Sequence, residues 1–252
     1  MKQYPIPGFF DPNNAVKIYP IPYGTIAEEG LKFAKSDKIA PASSDKKKIG
    51  LMIIDAQNTF CNPQGELFVT GAPDDNIRLA KFIYQNIGTI THTFVTMDTH
   101  YMKQIFHPFF WNDAHGDPVQ PYTMITLQDL KDGKYSVNPA MVGNIPNSTL
   151  PGLMKFAHHY VSELEKKGKF ALIVWPYHAM LGGVGHALTS VIEEAIRYHG
   201  FTRKTDVEFE VKGGNPFTEN YSVLSPEVLT TPSGAAIASR NTKFIERLLG
   251  LD

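Results

Sequence analysis

The chain has 252 residues, 42% of them hydrophobic and 19% charged, so it can bury a sizeable core and reads as globular. Its formal net charge of −1 gives no broad attraction to nucleic acid or to an anionic membrane, and no apolar run reaches the length of a bilayer span. The N-terminal MKQYPIPGFFDPNN has no continuous apolar stretch before its prolines, which argues against a secretory signal. The single cysteine, Cys61, cannot form an internal disulfide, and a cytoplasmic setting is the expectation.

Residues 1–47 are rich in proline and polar residues, and an extended N-terminal arm is expected there, anchored by Phe9 and Phe10. The run Lys46-Lys47-Lys48 reads as a solvated lead into a strand. Residues 49–55, IGLMIID, are continuously apolar and end in an acid, as a strand buried on both faces of a parallel sheet would be. Residues 74–87 carry Ile77, Ala80, Ile83 and Ile87 at helical spacing, with Asp74 or Asp75 as cap and Gly88 as terminator. Residues 92–98, HTFVTMD, predict a second strand, again ending in an acid.

Residues 99–150 are long and irregular, and a loop of that length in a compact domain is usually functional. A helix is expected over 152–167, with Leu153, Phe156, Tyr160 and Leu164 on one face. A third buried strand is expected over 169–175, a helix stopped by Gly200 over 186–199, an alternating fourth strand over 206–212, and a last helix over 235–249 ending at Gly250. This order predicts an α/β fold with a mostly parallel sheet and helices on both faces. Ligands in such sheets sit beyond the carboxyl ends of the strands. Asp55, Asp98, Trp175 with His178, and Lys212 all fall at those ends. Neither an internal repeat nor a low-complexity tract is evident in the sequence.

Asp98, His100 and His107 lie within MDTHYMKQIFH, and His178 follows the third expected strand in WPYH. An Asp-x-His pair at an extended strand end puts both side chains on one side. One carboxylate with three imidazoles makes a mixed oxygen and nitrogen donor set suited to one divalent metal, with zinc first and iron or manganese also accepted. His115, in DAHGD, is a rival ligand or a turn residue, and His158 and His159 fall mid-helix facing solvent.

Together, IIDAQNTFCNPQGEL with Asp55, the DTH-x6-H loop, WPYH, and EVKGGNPFTENYS with Lys212 resemble the nicotinamidase branch of the isochorismatase-like cysteine hydrolases over residues 49–228. The resemblance implies a three-layer α/β/α domain over 48–252 and hydrolysis of nicotinamide or a similar small amide through a cysteine thioester. It assigns Asp55 as the base that takes the thiol proton and Lys212 as its cationic partner. The metal would anchor the substrate ring, with Phe60 and Trp175 packing against it. Read without the resemblance, Asp55 is a strand-ending turn cap, Lys212 an exposed lysine before a glycine turn, and Phe60 and Trp175 plain core.

The family's nucleophilic cysteine is expected after a further strand, and this chain reaches Leu251-Asp252 where that strand would begin, so the C-terminal strands of the domain are expected to be lacking. Cys61 belongs to the first loop and is not expected to be the nucleophile. The segment 182–188, GGVGHAL, with Ala187 in the cysteine place, is rejected because Lys212 follows it. A second fragment or a homo-oligomer partner is therefore expected to supply the thiol. The alternatives are a catalytically inactive member that binds metal and ligand, a hydrolase using metal-bound water with Glu219 or Asp55 as base, and an interaction module built on 99–150.

Overall fold

In a computed structural model, which describes residues 2–168 and 171–250, the chain runs α1 (Tyr23–Ser36), β1 (Gly50–Ile54), α2 (Asn58–Cys61), α3 (Ala72–Gln85), β2 (His92–Asp98), β3 (Trp111–Asp113) and β4 (Met124–Ile125). There follow α4 (Leu127–Lys131), β5 (Tyr135–Val137), α5 (Met141–Asn144), α6 (Leu150–Lys167), β6 (Leu172–Ile173), α7 (Ser190–Arg203), β7 (Val207–Lys212) and α8 (Thr242–Leu249). The chain divides into two compact units. The first comprises Met1–Asp98, Gly182–Val211 and Lys243–Asp252; the second comprises Thr99–Leu181 and Lys212–Thr242. Each has its own apolar core.

The first unit is built on the sheet β1-β2-β7. β1 and β2 are parallel, with Ile53 opposite Val95 and Met52 opposite Phe94. Paired residues share a face and successive residues alternate. Ile53 and Val95 join the core with Ala80, Ile83 and Tyr84 of α3 and Val191, Ala195 and Ile196 of α7. Phe94, on the other face, meets Phe244 of α8 edge-on at 6.1 Å between ring centroids. Helices thus cover both faces, and the fold is α/β as the element order implied.

Four sequence expectations are corrected in this unit. Within the stretch read as an extended arm, Tyr23–Ser36 is helical because Ile26, Gly30 and Ala34 recur at the helical spacing and are buried. A Cβ on Gly30 would come within 3.1 Å of Thr202 Oγ1, so this glycine permits the close packing of α1 on α7. Gly200 does not end its helix: α7 continues to Arg203 and stops at Lys204 in the left-handed region (φ 51). Burial of Thr202 and Arg203, the latter donating to the Ala40 carbonyl at 2.5 Å, outweighs the glycine's helix cost of about 1 kcal/mol. β1 is not buried on both faces, since Ile54 is 65% exposed. The last helix begins at Thr242, not at 235, because Pro232-Ser233-Gly234 makes a turn in the second unit, closed by Thr231 N–H donating to Ala235 O at 2.8 Å.

The second unit holds two antiparallel strand pairs, β3-β5 and β4-β6, with α4, α5 and α6. α6 matches its expected apolar face: Leu153, Phe156, Tyr160 and Leu164 are buried. Thr149 caps its start by accepting from Gly152 N–H at 3.2 Å, and Gly168 (φ 60) ends it. The run 169–175 is corrected. Its first two residues lie outside the described ones, and Leu172–Ile173 pairs antiparallel with Met124–Ile125 instead of joining the parallel sheet. The stretch 99–150 is not an open loop. Ile105, Phe110 and Trp111 are fully buried, and Trp111 Nε1 donates to the Ile105 carbonyl at 2.5 Å.

Candidate metal centre

Asp98 closes β2 and is the last residue of the first unit. Its backbone is gripped by a side chain that the sequence did not flag. Fully buried Gln57 donates Nε2 to the Asp98 carbonyl at 2.7 Å and accepts the Asp98 N–H on Oε1 at 2.7 Å, so the amide extends the strand pairing by one residue. The same Nε2 donates to His186 O at 2.8 Å. The GGVGHAL segment therefore packs as structure: Asn58 N–H also donates to Ala187 O at 2.8 Å.

From Thr99 the chain enters the second unit, where Thr99 N–H donates to Lys212 O at 2.9 Å. His100 N–H donates to Ala179 O at 3.0 Å and Leu181 N–H donates to His100 O at 3.1 Å, which lays His178 beside His100. Their ring centroids are 4.5 Å apart, and the His107 ring lies 5.6 Å from each. Asp98, His100 and His178 each offer one ligand atom, and these atoms lie within 4.8 Å of one another. His107 is outside that tight group although it is fully buried beside it.

Each imidazole uses Nδ1 on a backbone carbonyl: His100 on Gly213 at 3.2 Å, His107 on Tyr101 at 2.9 Å, and His178 on Pro176 at 2.8 Å. A carbonyl only accepts, so Nδ1 carries the proton and the lone pair falls on Nε2. Histidine ligands of metals are commonly oriented in this way. One carboxylate and two buried imidazoles, with a third alongside, are donors that suit a divalent cation. The buried Asp98-His100-His178 group can hold a metal ion.

The other expected site residues are distributed as follows. Asp55 lies in the first unit, half-buried, with its backbone in the left-handed region (φ 51). Thr96 Oγ1 donates to its Oδ1 at 2.7 Å and accepts its N–H at 3.1 Å. A non-glycine residue held there is a strained, over-determined position of the sort found at functional sites. Phe60, half-buried on α2, is also in the first unit. Lys212 is buried in the second unit, not exposed, and its Nζ donates to Asn220 O at 3.3 Å. Half-buried Trp175 donates N–H to Phe106 O at 2.7 Å and Nε1 to the Tyr221 hydroxyl at 3.2 Å. Burial, then the charge of Glu219, pushes that tyrosine up to about 12. Buried Glu219 accepts from Asn220 N–H at 3.0 Å. His115 is an exposed turn residue. His159 is half-buried and bonds Thr230 O at 2.8 Å, so it does not simply face solvent.

Cys61 is buried, and burial pushes its thiol above the ordinary value. That is the reverse of what activates a nucleophilic thiolate.

No family model matches the sequence, and no curated protein matches it. Three solved structures do. The yeast nicotinamidase Pnc1p, bound to the inhibitor nicotinaldehyde, is 19% identical, with 70% of this chain and 62% of that chain covered and a TM-score of 0.44. Another structure of the yeast nicotinamidase Pnc1p is 18% identical over 79% and 69%, with a TM-score of 0.47. An Acinetobacter baumanii nicotinamidase and pyrazinamidase is 15% identical over 73% and 60%, with a TM-score of 0.42. The chain thus spans between 60% and 69% of the length of these proteins.

Proposed function

We propose that the chain is the metal-binding part of a nicotinamidase-like amidohydrolase that acts on nicotinamide or a similar small amide. The observation that carries this is the buried Asp98-His100-His178 group, with imidazole Nδ1 atoms turned onto carbonyls and the ligating lone pair on Nε2. His107 completes the ligand set in this reading. Zinc is the favoured ion, because a carboxylate with imidazoles at strand ends matches its usual donors; iron and manganese accept the same set. When bound, such an ion supplies a Lewis-acid anchor for a donor atom of the substrate.

The remaining roles belong to this chain's own side chains. Asp55 takes the proton of a cysteine thiol, and Lys212 stabilises the resulting thiolate by its charge. Phe60 and Trp175 flank the substrate ring. The thiol attacks the amide carbon, ammonia leaves, and water releases the acid from the thioester. Cys61 is not taken as that thiol in this reading, since it is buried and burial pushes its thiol up. The nucleophile in this reading is a cysteine other than Cys61. A cytoplasmic setting goes with it, supported by the free, buried cysteine. Among the described residues no helix is long and apolar enough to cross a membrane.

A second reading rests on the same buried thiol: a hydrolytically inactive member that binds metal and ligand. The experiment, on protein purified from its native source with any associated polypeptide retained, is metal content after equilibrium dialysis against zinc, followed by ammonia release from nicotinamide. One zinc per chain, lost in His178→Ala, with ammonia released supports the hydrolase. Zinc bound with no ammonia supports the inactive member, and no zinc bound removes both.

A further inference from the structure

Between His100 and His107 sits Gln104, fully buried and given no role by the sequence motifs of this segment. Its amide is completely used. Oε1 accepts from Tyr101 N–H at 3.0 Å, while Nε2 donates to the Gly213 carbonyl and to the Asn215 carbonyl at 3.2 Å. Its own carbonyl accepts from His107 N–H at 2.9 Å. One acceptor and two donors on a neutral side chain is a combination that glutamine provides and leucine or glutamate does not.

The partners of that amide are the groups that orient the imidazoles. The Gly213 carbonyl accepts from both Gln104 Nε2 and His100 Nδ1, so both of its lone pairs are engaged. Tyr101, whose N–H is held by Gln104 Oε1, presents its carbonyl to His107 Nδ1 at 2.9 Å. Gly213 lies in the left-handed region (φ 86) immediately after Lys212. A glycine there would swing its carbonyl readily without a second tether.

We infer that Gln104 is a positioning residue: by fixing the Gly213 and Tyr101 peptide groups it sets the ring orientation and the Nδ1–H tautomer of His100 and His107, and so makes their Nε2 atoms the metal ligands. This rests on the metal reading above. Partners that orient metal-bound imidazoles are worth roughly 10- to 100-fold in metal affinity when removed.

The test uses the 252-residue chain with 15N-labelled histidine, as wild type, Gln104→Leu, Gln104→Glu and His178→Ala. Ring nitrogen shifts of the apo proteins report the tautomers, and cobalt titration with zinc competition reports affinity. Expected are Nδ1–H tautomers at His100 and His107 in the wild type. Gln104→Glu keeps the acceptor for Tyr101 N–H and loses both donations, so His107 keeps its tautomer and His100 does not. Cobalt binding weakens by roughly 10- to 100-fold in both Gln104 variants, with an altered visible spectrum. A folded Gln104 variant with wild-type ring shifts and wild-type cobalt affinity overturns the inference. If Gln104→Leu does not fold, an Nε2–H tautomer at His100 in the wild type overturns it just as well. A wild type that binds no cobalt while its histidines show the expected tautomers refutes the metal reading and leaves the positioning role standing.

Discussion

Acidification tests how the core of the first unit is built, through His199. This residue of α7 is fully buried, and its Nε2 donates to the Ile90 carbonyl at 2.9 Å. Burial lowers its pKa from 6.5 to about 4, with Arg203 and His92 pushing the same way and Ile90 and Asp45 opposing. The folded protein therefore refuses a proton that the unfolded chain accepts below 6.5. Between those two values the unfolded state binds more protons, so stability rises with pH. The stabilisation is complete above 6.5, declines as pH falls, and is exhausted near 4. At 1.36 kcal/mol per unit, about 2 kcal/mol has gone by pH 5. His199→Gln keeps an amide donor for the Ile90 carbonyl and does not titrate. Urea unfolding of both proteins at pH 7 and pH 5 isolates the term. The wild type is expected to lose about 2 kcal/mol more than the variant on acidification. Equal losses in the two proteins would refute the reasoning and place His199 within reach of solvent.

Other perturbations give equally definite outcomes. Gln57→Leu removes three hydrogen bonds, two buried ones to the Asp98 backbone and a part-buried one to His186 O, and is expected to lower urea stability by about 3 kcal/mol at roughly 1 kcal/mol each. Gly213→Ala places a side chain at φ 86, so a loss of about 1–2 kcal/mol is expected in thermal unfolding, together with weaker cobalt binding. Arg203→Met strips Asp45 of its buried guanidinium partner, and a loss of about 3 kcal/mol is expected at pH 7 by urea unfolding. Zinc at a hundredfold excess over its Kd should raise stability by about 2.7 kcal/mol in the wild type and leave His178→Ala unmoved.

Helices with strong apolar periodicity are legible in the residue pattern alone. The buried stripe of α6 falls where 152–167 places it, and β2 coincides with 92–98. Long-range choices are not legible in this way. An apolar run such as 169–175 is consistent with a parallel strand or an antiparallel pair, and the pairing of its Leu172–Ile173 with Met124–Ile125, itself two residues long, decides between them. Strands of two or three residues are too short to show a period, so 99–150 reads as a loop although it carries Ile105, Phe110 and Trp111 into a core. Gly200 misleads because local propensity is a weak term beside the burial of Thr202 and Arg203.

At the candidate metal centre the donor residues are legible and their supports are not. Asp98, His100 and His178 announce themselves by residue type, because few side chains bind metals and their spacing repeats a recognisable pattern. Gln57 and Gln104 belong to a residue type that is mostly exposed in folded proteins, and nothing in a single sequence separates a buried amide from a solvated one. Yet these two side chains satisfy the backbone at the points where regular pairing stops: the end of β2 for Gln57, the turn after β7 for Gln104. A strand that ends in a buried donor residue must leave peptide groups without a neighbouring strand, and each such group costs about 1–3 kcal/mol if unsatisfied. An amide side chain, carrying both a donor and an acceptor, can replace the missing peptide. Buried glutamines at strand ends therefore follow from the same requirement that places buried polar donors there.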